Sequence, residues 1–377
     1  MKKHICFIEL MPFPTTVGGG ITHLKELAKA LIKKNYKVSI ITSKPPKQFK
    51  LEKGLKSLNL YHVGLKHKKF EDFTGLKKPY YFVWRVFFEL SFVSGAIKVL
   101  KKINPDIINT QSFITTSLPC SLTGKNFVVT SHGIYSHGFK RLYKLKKERI
   151  VSGIGAKIYK IIENFNLKRC SLVICLGKET YDYYSKYKKS VIIPNGVDIE
   201  KFKPGKKQRN LIISVGRFTK QKQVDRLILA MDYLKDYKLL VIGLGPLEPE
   251  IRKLCQSRKN CQFLGYKNQD QISKLMSKAS FTILPSEFEG LPIAMLEAMS
   301  SGVIPVATKV GDIQDVISEG KNGFFLKDNK PRTIAETMKK INKRKLARIS
   351  KTARETIEKN YSWDKISDKY LAAYNGK

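Results

Sequence analysis

The chain has no Cys-x-x-Cys pair and no Cys/His cluster at zinc spacing, although it carries six cysteines, at 6, 120, 170, 175, 255 and 261. Zinc-ribbon chemistry is therefore excluded, Cys6 reads as a small core residue, and reduced thiols in a cytosolic protein are expected. There is no Asp-x-Asp pair, so no catalytic metal is expected. No uninterrupted apolar run is long enough to span a bilayer. The opening MKKHICFIELMPF begins like a leader, but its apolar run is short and Glu9 breaks it, which makes residues 5–10 a first β-strand. Acidic side chains are scarce: 31 Asp and Glu stand against 71 Lys and Arg, a formal net charge of +40. Such a surplus points to nucleic acid, anionic lipid headgroups or phosphorylated ligands as partners, or else to a lysine-rich composition with no partner at all. No recognised nucleic-acid motif accompanies it.

What is present is core material and a repeated pattern. Hydrophobic residues make up 42% of 377, enough for two domains of ordinary size. The first strand leads through a glycine-rich loop (Gly18, Gly19, Gly20) into ITHLKELAKALIKKN, where Leu24, Leu27, Ala28 and Leu31 recur at helical spacing. YKVSIITS follows as a strand, giving the strand–turn–helix–strand unit of an α/β fold with a parallel sheet. Further strand-like runs lie at 106–110, 127–133, 172–177 and 191–196. The pattern then restarts at NLIISVGRF (210–218) and continues through YKLLVIGLGP (237–246), FTILPS (281–286), VIPVAT (303–308) and NGFFL (322–326). The expected architecture is α/β: two Rossmann-like domains facing across a cleft, joined near PNGVDIEKFKPG (194–205). That gives a first domain at 1–195 and a second at 196–360. The lysine-rich run 339–360 reads as solvated helix. YSWDKISDKYLAAY is amphipathic and needs a surface for Trp363, Ile366, Tyr370 and Leu371.

In open α/β sheets ligands bind at the carboxyl ends of the strands, and the polar residues worth weighing fall there. Glycines at 18–20 let backbone N–H groups approach an anion at a helix start, or simply make a turn. VGRFTKQK places Arg217 and Lys222 after a strand, two cations suited to a diphosphate or two surface charges in a basic chain. His132 closes another strand. In LPSEFEGLPIAMLEAMSSG (284–302) Glu289 precedes a helix begun near Pro292 and ended by Gly302, and Glu297 lies about two turns inside it. Free N–H groups around Leu291 to Ile293 suit a phosphate, with the carboxylates left for hydroxyl donors on either side. A nucleotide-sugar has that layout.

These segments together resemble the retaining glycosyltransferases of family 4, which have the GT-B fold. The resemblance rests on the GG loop, the HG at 132–133, IPNGVDIEKFKP, VGRFTKQK, VIGLGP, FLGY, PSEFEGLPIAMLEAMSSGVIPVAT and YSWDKI, in order along nearly the whole chain. It implies that Arg217 and Lys222 hold the donor diphosphate, helped by the backbone of Gly18, Gly19 and Leu291. It further implies that Glu297 binds the ribose, that Glu289 and His132 contact the transferred sugar, and that the base lies near Gly265 and Tyr266. A terminal helix crossing to the first domain would give Trp363 its surface. Two positions depart from the pattern: Gln223 stands where glycine is usual, and VGDIQDV (310–316) replaces Gly-Gly-x-Pro-Glu. The implied activity is metal-independent transfer of a hexose from a UDP- or GDP-linked donor to an acceptor hydroxyl with retention. The nucleotide-sugar is a co-substrate and no cofactor is expected.

The resemblance implies that the first domain (1–195, with a returning C-terminal helix at 361–377) carries the acceptor and the second (196–360) the donor, so the acceptor expectations come from the first half. KKPYYFVWRVFFELSFVSGAIKVLKK (77–102), interrupted by Arg85 and Glu89, reads either as a basic aromatic face for an anionic membrane or as a buried core helix. KRLYKLKKER (140–149) adds charge. The partners expected are a nucleotide-sugar, a glycan or lipid-linked sugar as acceptor, an anionic membrane surface on the membrane reading, and no specific nucleic acid. The location expected is cytoplasmic, and on the membrane reading peripheral on the inner face of the cytoplasmic membrane. The alternative from another class is a polyanion-binding protein on an inactive scaffold.

Overall fold

The computed structural model describes residues 3–15, 19–45, 49–66, 78–134 and 149–376. The chain divides into two units, Met1–Ile193 together with Ser367–Lys377, and Pro194–Ile366. The first unit holds β1 (His4–Glu9), α1 (Gly19–Lys33), β2 (Lys37–Lys44), β3 (Asn59–Lys66), α2 (Lys78–Ile103), β4 (Ile107–Thr110), α3 (Leu118–Thr123), β5 (Val128–Ser131), α4 (Arg149–Arg169), β6 (Leu172–Cys175), α5 (Lys178–Tyr184) and β7 (Ser190–Ile192). Its sheet runs β3-β2-β1-β4-β5-β6-β7. Among the described residues its strand pairings are all parallel.

The second unit holds β8 (Leu211–Val215), α6 (Val224–Ala230), β9 (Lys238–Ile242), α7 (Glu248–Gln256), β10 (Cys261–Gly265), α8 (Gln269–Lys278), β11 (Phe281–Leu284), α9 (Ile293–Ser300), β12 (Ile304–Thr308), α10 (Ile313–Val316), β13 (Phe324–Leu326), α11 (Pro331–Lys340) and α12 (Leu346–Asn360). Its sheet runs β10-β9-β8-β11-β12-β13, again parallel. Both strand orders reverse direction once, between β1 and β4 and between β8 and β11. Those are the switch points where such sheets open a crevice beyond their carboxyl ends.

Alternation along each strand builds the cores. In β8, Ile212 joins a cluster with Leu239, Val241, Phe281, Ile283, Ile304 and Val306 on one face. Leu211 and Ile213 point to the other face, with Ile242, Met295, Leu296, Met299 and Ala307. Neighbouring side chains of a strand face opposite ways, and a parallel sheet covered on both faces needs apolar residues at every step. Each such side chain contributes about 1.5–3 kcal/mol when buried.

Two expectations are revised. Residues 339–360 are not a solvated helix throughout: α12 buries Ile349, Ala353 and Ile357. α13 (Trp363–Tyr374) crosses between units, but Trp363 and Ile366 belong to the second unit, and only Ser367 onward belongs to the first. Trp363 therefore finds its surface on the second unit: its ring packs on Gly196, and Val197 pairs with Ser362 beside it. Buried Tyr370 seats the far end in the first unit.

Lys207 ties two helix ends together. Its ammonium donates to Met276 O (3.2 Å) and Ser301 O (2.6 Å), carbonyls at the ends of α8 and α9. Burial lowers its pKa from the ordinary 10.5 to about 7. The native state thus binds this proton less well than the unfolded chain. Its contribution is fully present above about 10.5 and lost as pH falls toward about 7. Denaturant midpoints should rise across that window in the parent protein, and Lys207→Met should flatten the rise. Parallel stability–pH curves for the two proteins would contradict the assignment.

Candidate active site

The second unit's switch point is laced together from two loops. After β8 the chain passes Gly216 and exposed Arg217 into a short 3-10 turn, Lys220–Lys222. After β11 it passes Ser286 to Gly290 before α9. Glu287 N donates to Gln221 O (2.9 Å), Gln221 Nε2 to Phe288 O (2.8 Å) and Gln223 Nε2 to Glu287 Oε1 (2.8 Å). Within this lacing the Lys222 ammonium donates to buried Glu289 Oε1. The same oxygen accepts from Ser286 Oγ at 2.9 Å. A buried ion pair is tolerable only when its remaining polar atoms are satisfied, and Ser286 does part of that.

α9 starts at Ile293 with Pro292 as its N-cap, and no side chain caps it. Its first-turn N–H groups therefore face away from the helix without a side-chain acceptor, at the positive end of the helix dipole. A cavity lies here, walled by Ser214, Gly216, Lys222, Ser286, Pro292 and Ala294. Glu297 is buried in the second turn of α9 and accepts from Gln269 Nε2, at the start of α8, at 3.0 Å. Gly265 ends β10 with φ +62, its carbonyl accepting from Gly243 N at 3.0 Å, and Tyr266 beyond it is 54% exposed.

Glycines at two places permit this packing. A Cβ at Gly243 would lie 1.8 Å from Gly216 O, so the loop after β9 can close on the loop after β8 only without one. A Cβ at Gly311 would lie 1.8 Å from Glu289 O, and φ there is +51. Gln223, where glycine is usual in the resembled pattern, also has a left-handed backbone, φ 51. Its side chain is held by its bond to Glu287 and by Arg226 Nε donating to Gln223 Oε1 at 3.3 Å.

The first unit carries a separate polar cluster at the ends of β4 and β5. His132 Nε2 donates to Gln111 Oε1 (2.9 Å), and Gln111 Nε2 donates to Asn109 Oδ1 (3.0 Å). Asn109 Oδ1 also accepts from Thr130 Oγ1 (3.0 Å), and its Nδ2 donates to Tyr374 Oη at 2.7 Å. Buried His23, on α1, meets the His132 ring edge-on at 5.3 Å and shares a 3.0 Å hydrogen bond with Tyr370 Oη. Burial, with help from His23, lowers the His132 pKa to about 3, so the ring is neutral at ordinary pH. With Nε2 carrying the proton, Nδ1 is an acceptor, and Gly20 stands beside the ring.

The sequence-predicted residues are thus distributed as follows. Lys222 and Glu289 meet directly, Arg217 shares the Lys222 loop, and Leu291 and Glu297 flank and occupy α9. Gly265 ends, and Tyr266 follows, a strand two places from β8 in the same sheet. Gly19 is the first residue of α1 rather than part of a loop. Gly18 lies outside the described residues. Sequence reasoning missed Ser286, Gln269, Gln111, Asn109 and His23. The signals were faint: a serine three residues before Glu289, and polar NTQS directly after an apolar strand.

Residues 17–201 match the family model Glycosyltransferase Family 4, and residues 197–363 match Glycosyl transferases group 1. This chain is a group 1, family 4-like glycosyltransferase with the GT-B fold. An uncharacterized glycosyltransferase of Methanocaldococcus jannaschii is 23% identical to it over 393 residues, covering 96% of this chain and 95% of the relative. UDP-Gal:alpha-D-GlcNAc-diphosphoundecaprenol alpha-1,3-galactosyltransferase of Escherichia coli is 28% identical, covering 73% and 77%. Among solved structures, sucrose-phosphate synthase from Thermosynechococcus elongatus superposes with TM-score 0.80 at 18% identity, over 100% of this glycosyltransferase and 99% of that chain. This last likeness speaks to the fold.

Gly311→Ala should disturb the candidate site of this glycosyltransferase and its stability together. The left-handed backbone alone costs a non-glycine residue about 1–2 kcal/mol, and the Glu289 carbonyl must also move. Denaturant melts should show a loss at the upper end of that range or beyond; a midpoint equal to the parent's would refute the close approach.

Proposed function

We propose that this glycosyltransferase takes a UDP- or GDP-linked sugar and moves the hexose to an acceptor hydroxyl with retention at the anomeric carbon. The observation that carries the reading is the meeting of Lys222, buried Glu289 and the uncapped start of α9 around one cavity. A diphosphate fits a cation beside free N–H groups. Glu289 and Glu297, both buried and hydrogen-bonded, suit the sugar and ribose hydroxyls. The E. coli relative, named for a UDP-Gal donor, supports the donor class.

In this reading Lys222 exchanges partners. Without donor it is neutralised by Glu289; with donor it also faces phosphate. As the bond between sugar and β-phosphate breaks, negative charge grows on the leaving group. Arg217, Lys222 and the N–H groups of α9 meet that charge, and interactions that strengthen during the reaction are those that speed it. No catalytic metal is required for this step. Glu289 is not assigned as a nucleophile: its Oε1 is engaged by Lys222 and Ser286, and the leaving phosphate itself can take the acceptor's proton. His132, neutral with Nδ1 as acceptor, is assigned to a sugar hydroxyl.

Arg217→Ala should slow turnover about 100-fold, the usual effect of removing one donor to a developing oxyanion. The thermal midpoint without ligand should stay unchanged, because Arg217 is exposed and makes no ion pair with described residues. UDP or GDP should raise the parent's midpoint more than the variant's, and oligonucleotides should raise neither. Equal transfer rates for parent and variant would remove Arg217 from the mechanism.

The acceptor reading is a lipid-linked sugar at an anionic membrane, with the protein peripheral on its cytoplasmic face. α2 is neither wholly core nor wholly surface. Phe88, Phe92, Val93, Ala96 and Leu100 are buried, whereas Phe87 is 61% and Leu90 60% exposed. α4 exposes Ile158 and Ile161, and exposed Lys98, Lys101, Lys102 and Lys157 lie on the same two helices. No described helix is long and apolar enough to cross a membrane. An apolar set fringed by lysines suits binding at the interface, and the E. coli relative's name specifies an undecaprenol-linked acceptor. Residues 140–148 of the basic stretch lie outside the described residues. Vesicles containing anionic lipid should sediment the protein at low salt and release it at high salt, with Phe87→Ser/Leu90→Ser weakening capture several-fold. Absence of capture at low salt would discard the membrane reading and leave the donor chemistry untouched.

A further inference from the structure

All six cysteines are free thiols, and their surroundings sort them into two kinds. Cys6, Cys120, Cys170 and Cys175 lie buried in the first unit. Burial pushes Cys120 and Cys170 up to about 12 and Cys175 up to about 11, and raises Cys6 further. Thiols held in that form are inert. Cys255 and Cys261, in the second unit, differ in facing one another: the bond between them lowers the Cys255 pKa and, with burial, raises that of Cys261. Cys261 Sγ–H donates to Cys255 Sγ at 2.9 Å.

The approach is built into the fold. Cys255 occupies the last turn of α7 and Cys261 opens β10. The turn between them is fixed by Arg258 N donating to Cys255 O (3.0 Å) and Cys261 N donating to Arg258 O (3.2 Å). Arg258 is itself anchored to Asp232 through Nε (2.9 Å) and Nη2 (2.7 Å). α7 is further held against β10 by Arg252, whose guanidinium lies 4.4 Å from the Phe263 ring centre. A covalent S–S bond is about 2.05 Å long, so the sulfurs need approach by less than the width of an atom. Cys255 is 1% exposed and Cys261 is partly exposed, which gives one sulfur access to solvent and keeps its partner behind it.

We propose that Cys255 and Cys261 form a dithiol site that reacts with low-molecular-weight disulfides and closes to an intramolecular disulfide. The pair gives up its first proton with the help of the sulfur–sulfur hydrogen bond and the Arg258 cation, both of which lower the Cys255 pKa. The proton that Cys261 shares along the sulfur–sulfur bond passes to the Cys255 thiolate, and the Cys261 thiolate so formed attacks one sulfur of a disulfide RSSR. A Cys261–SR bond forms, the RS–SR bond breaks, and RS⁻ leaves and takes up a proton. Cys255 then loses its proton and attacks Cys261 Sγ, and the second RS⁻ leaves. In sum two protein thiols and RSSR give one protein disulfide and two RSH; the protein is oxidised by two electrons and RSSR is reduced. The product staples the end of α7 to the start of β10, the strand that terminates at Gly265.

The test uses the full-length folded protein and oxidised glutathione as probe. After timed incubation the protein is denatured in N-ethylmaleimide, digested with trypsin and weighed. Cleavage after Lys253, Arg258 and Lys259 places the two cysteines on separate peptides, 254–258 and 260–267, so a bond between them is directly visible. The expected result is that joined pair of peptides, formed at least about ten times faster than any other oxidation, with Cys6, Cys120, Cys170 and Cys175 recovered as maleimide adducts. Cys261→Ser should abolish the cross-link and leave Cys255 nearly unreactive. Recovery of both residues as maleimide adducts, or as two separate glutathione adducts, would overturn the proposal. So would a competing cross-link among the first-unit cysteines at the same rate. The readout needs no sugar donor, so it stands or falls independently of the transfer reaction.

Discussion

The second unit depends on the lacing between the loops after β8 and β11. Two adjacent parallel strands end side by side, and their loops are then bound by main-chain and side-chain hydrogen bonds and by the Lys222–Glu289 ion pair. Everything nearby is shaped to allow it. Gly311 leaves room for the Glu289 carbonyl, Gly243 leaves room for the Gly216 carbonyl, and Gln223 accepts a left-handed backbone so that α6 can begin at Val224. The start of α9 remains uncapped within this framework.

This arrangement also explains why a chain with formal charge +40 places carboxylates in its second unit. An unpartnered ammonium at a half-buried strand end would be costly to desolvate, and an unpartnered buried carboxylate more so. Pairing the two makes the resting site nearly neutral, and Ser286 satisfies part of what remains. Glu297 is treated differently: a neutral amide, Gln269, approaches it rather than a cation. The two carboxylates of one short segment therefore sit in unlike electrostatic settings, which suits unlike tasks.

Much of this was legible in the sequence because parallel strands buried on both faces are continuous apolar runs. The strands at 107–110, 128–131, 172–175, 211–215, 238–242, 281–284 and 304–308 lie within such runs. β3, NLYHVGLK, was missed because its polar residues interrupt the pattern, and β10, CQFLG, because it is short and partly exposed. The Glu-x7-Glu segment and its helix were legible from Pro292 and Gly302. The partner of Glu289 was not, since Lys222 lies 67 residues away and only the sheet order brings them together. The same holds for His132, whose neighbours Gln111 and His23 come from other elements, and for Trp363, whose ring packs on Gly196.

The last turns of α13 have a consequence for the order in which the molecule can be completed. Chains are made from the N-terminus, and domains generally fold as they emerge. The first unit's strands are all synthesised by residue 193, yet the tyrosines that close its polar cluster against His23 and Asn109 are residues 370 and 374. The imidazole of His23 and the amide of Asn109 therefore keep water as their partner until Tyr370 and Tyr374, made after the whole second unit, arrive to replace it.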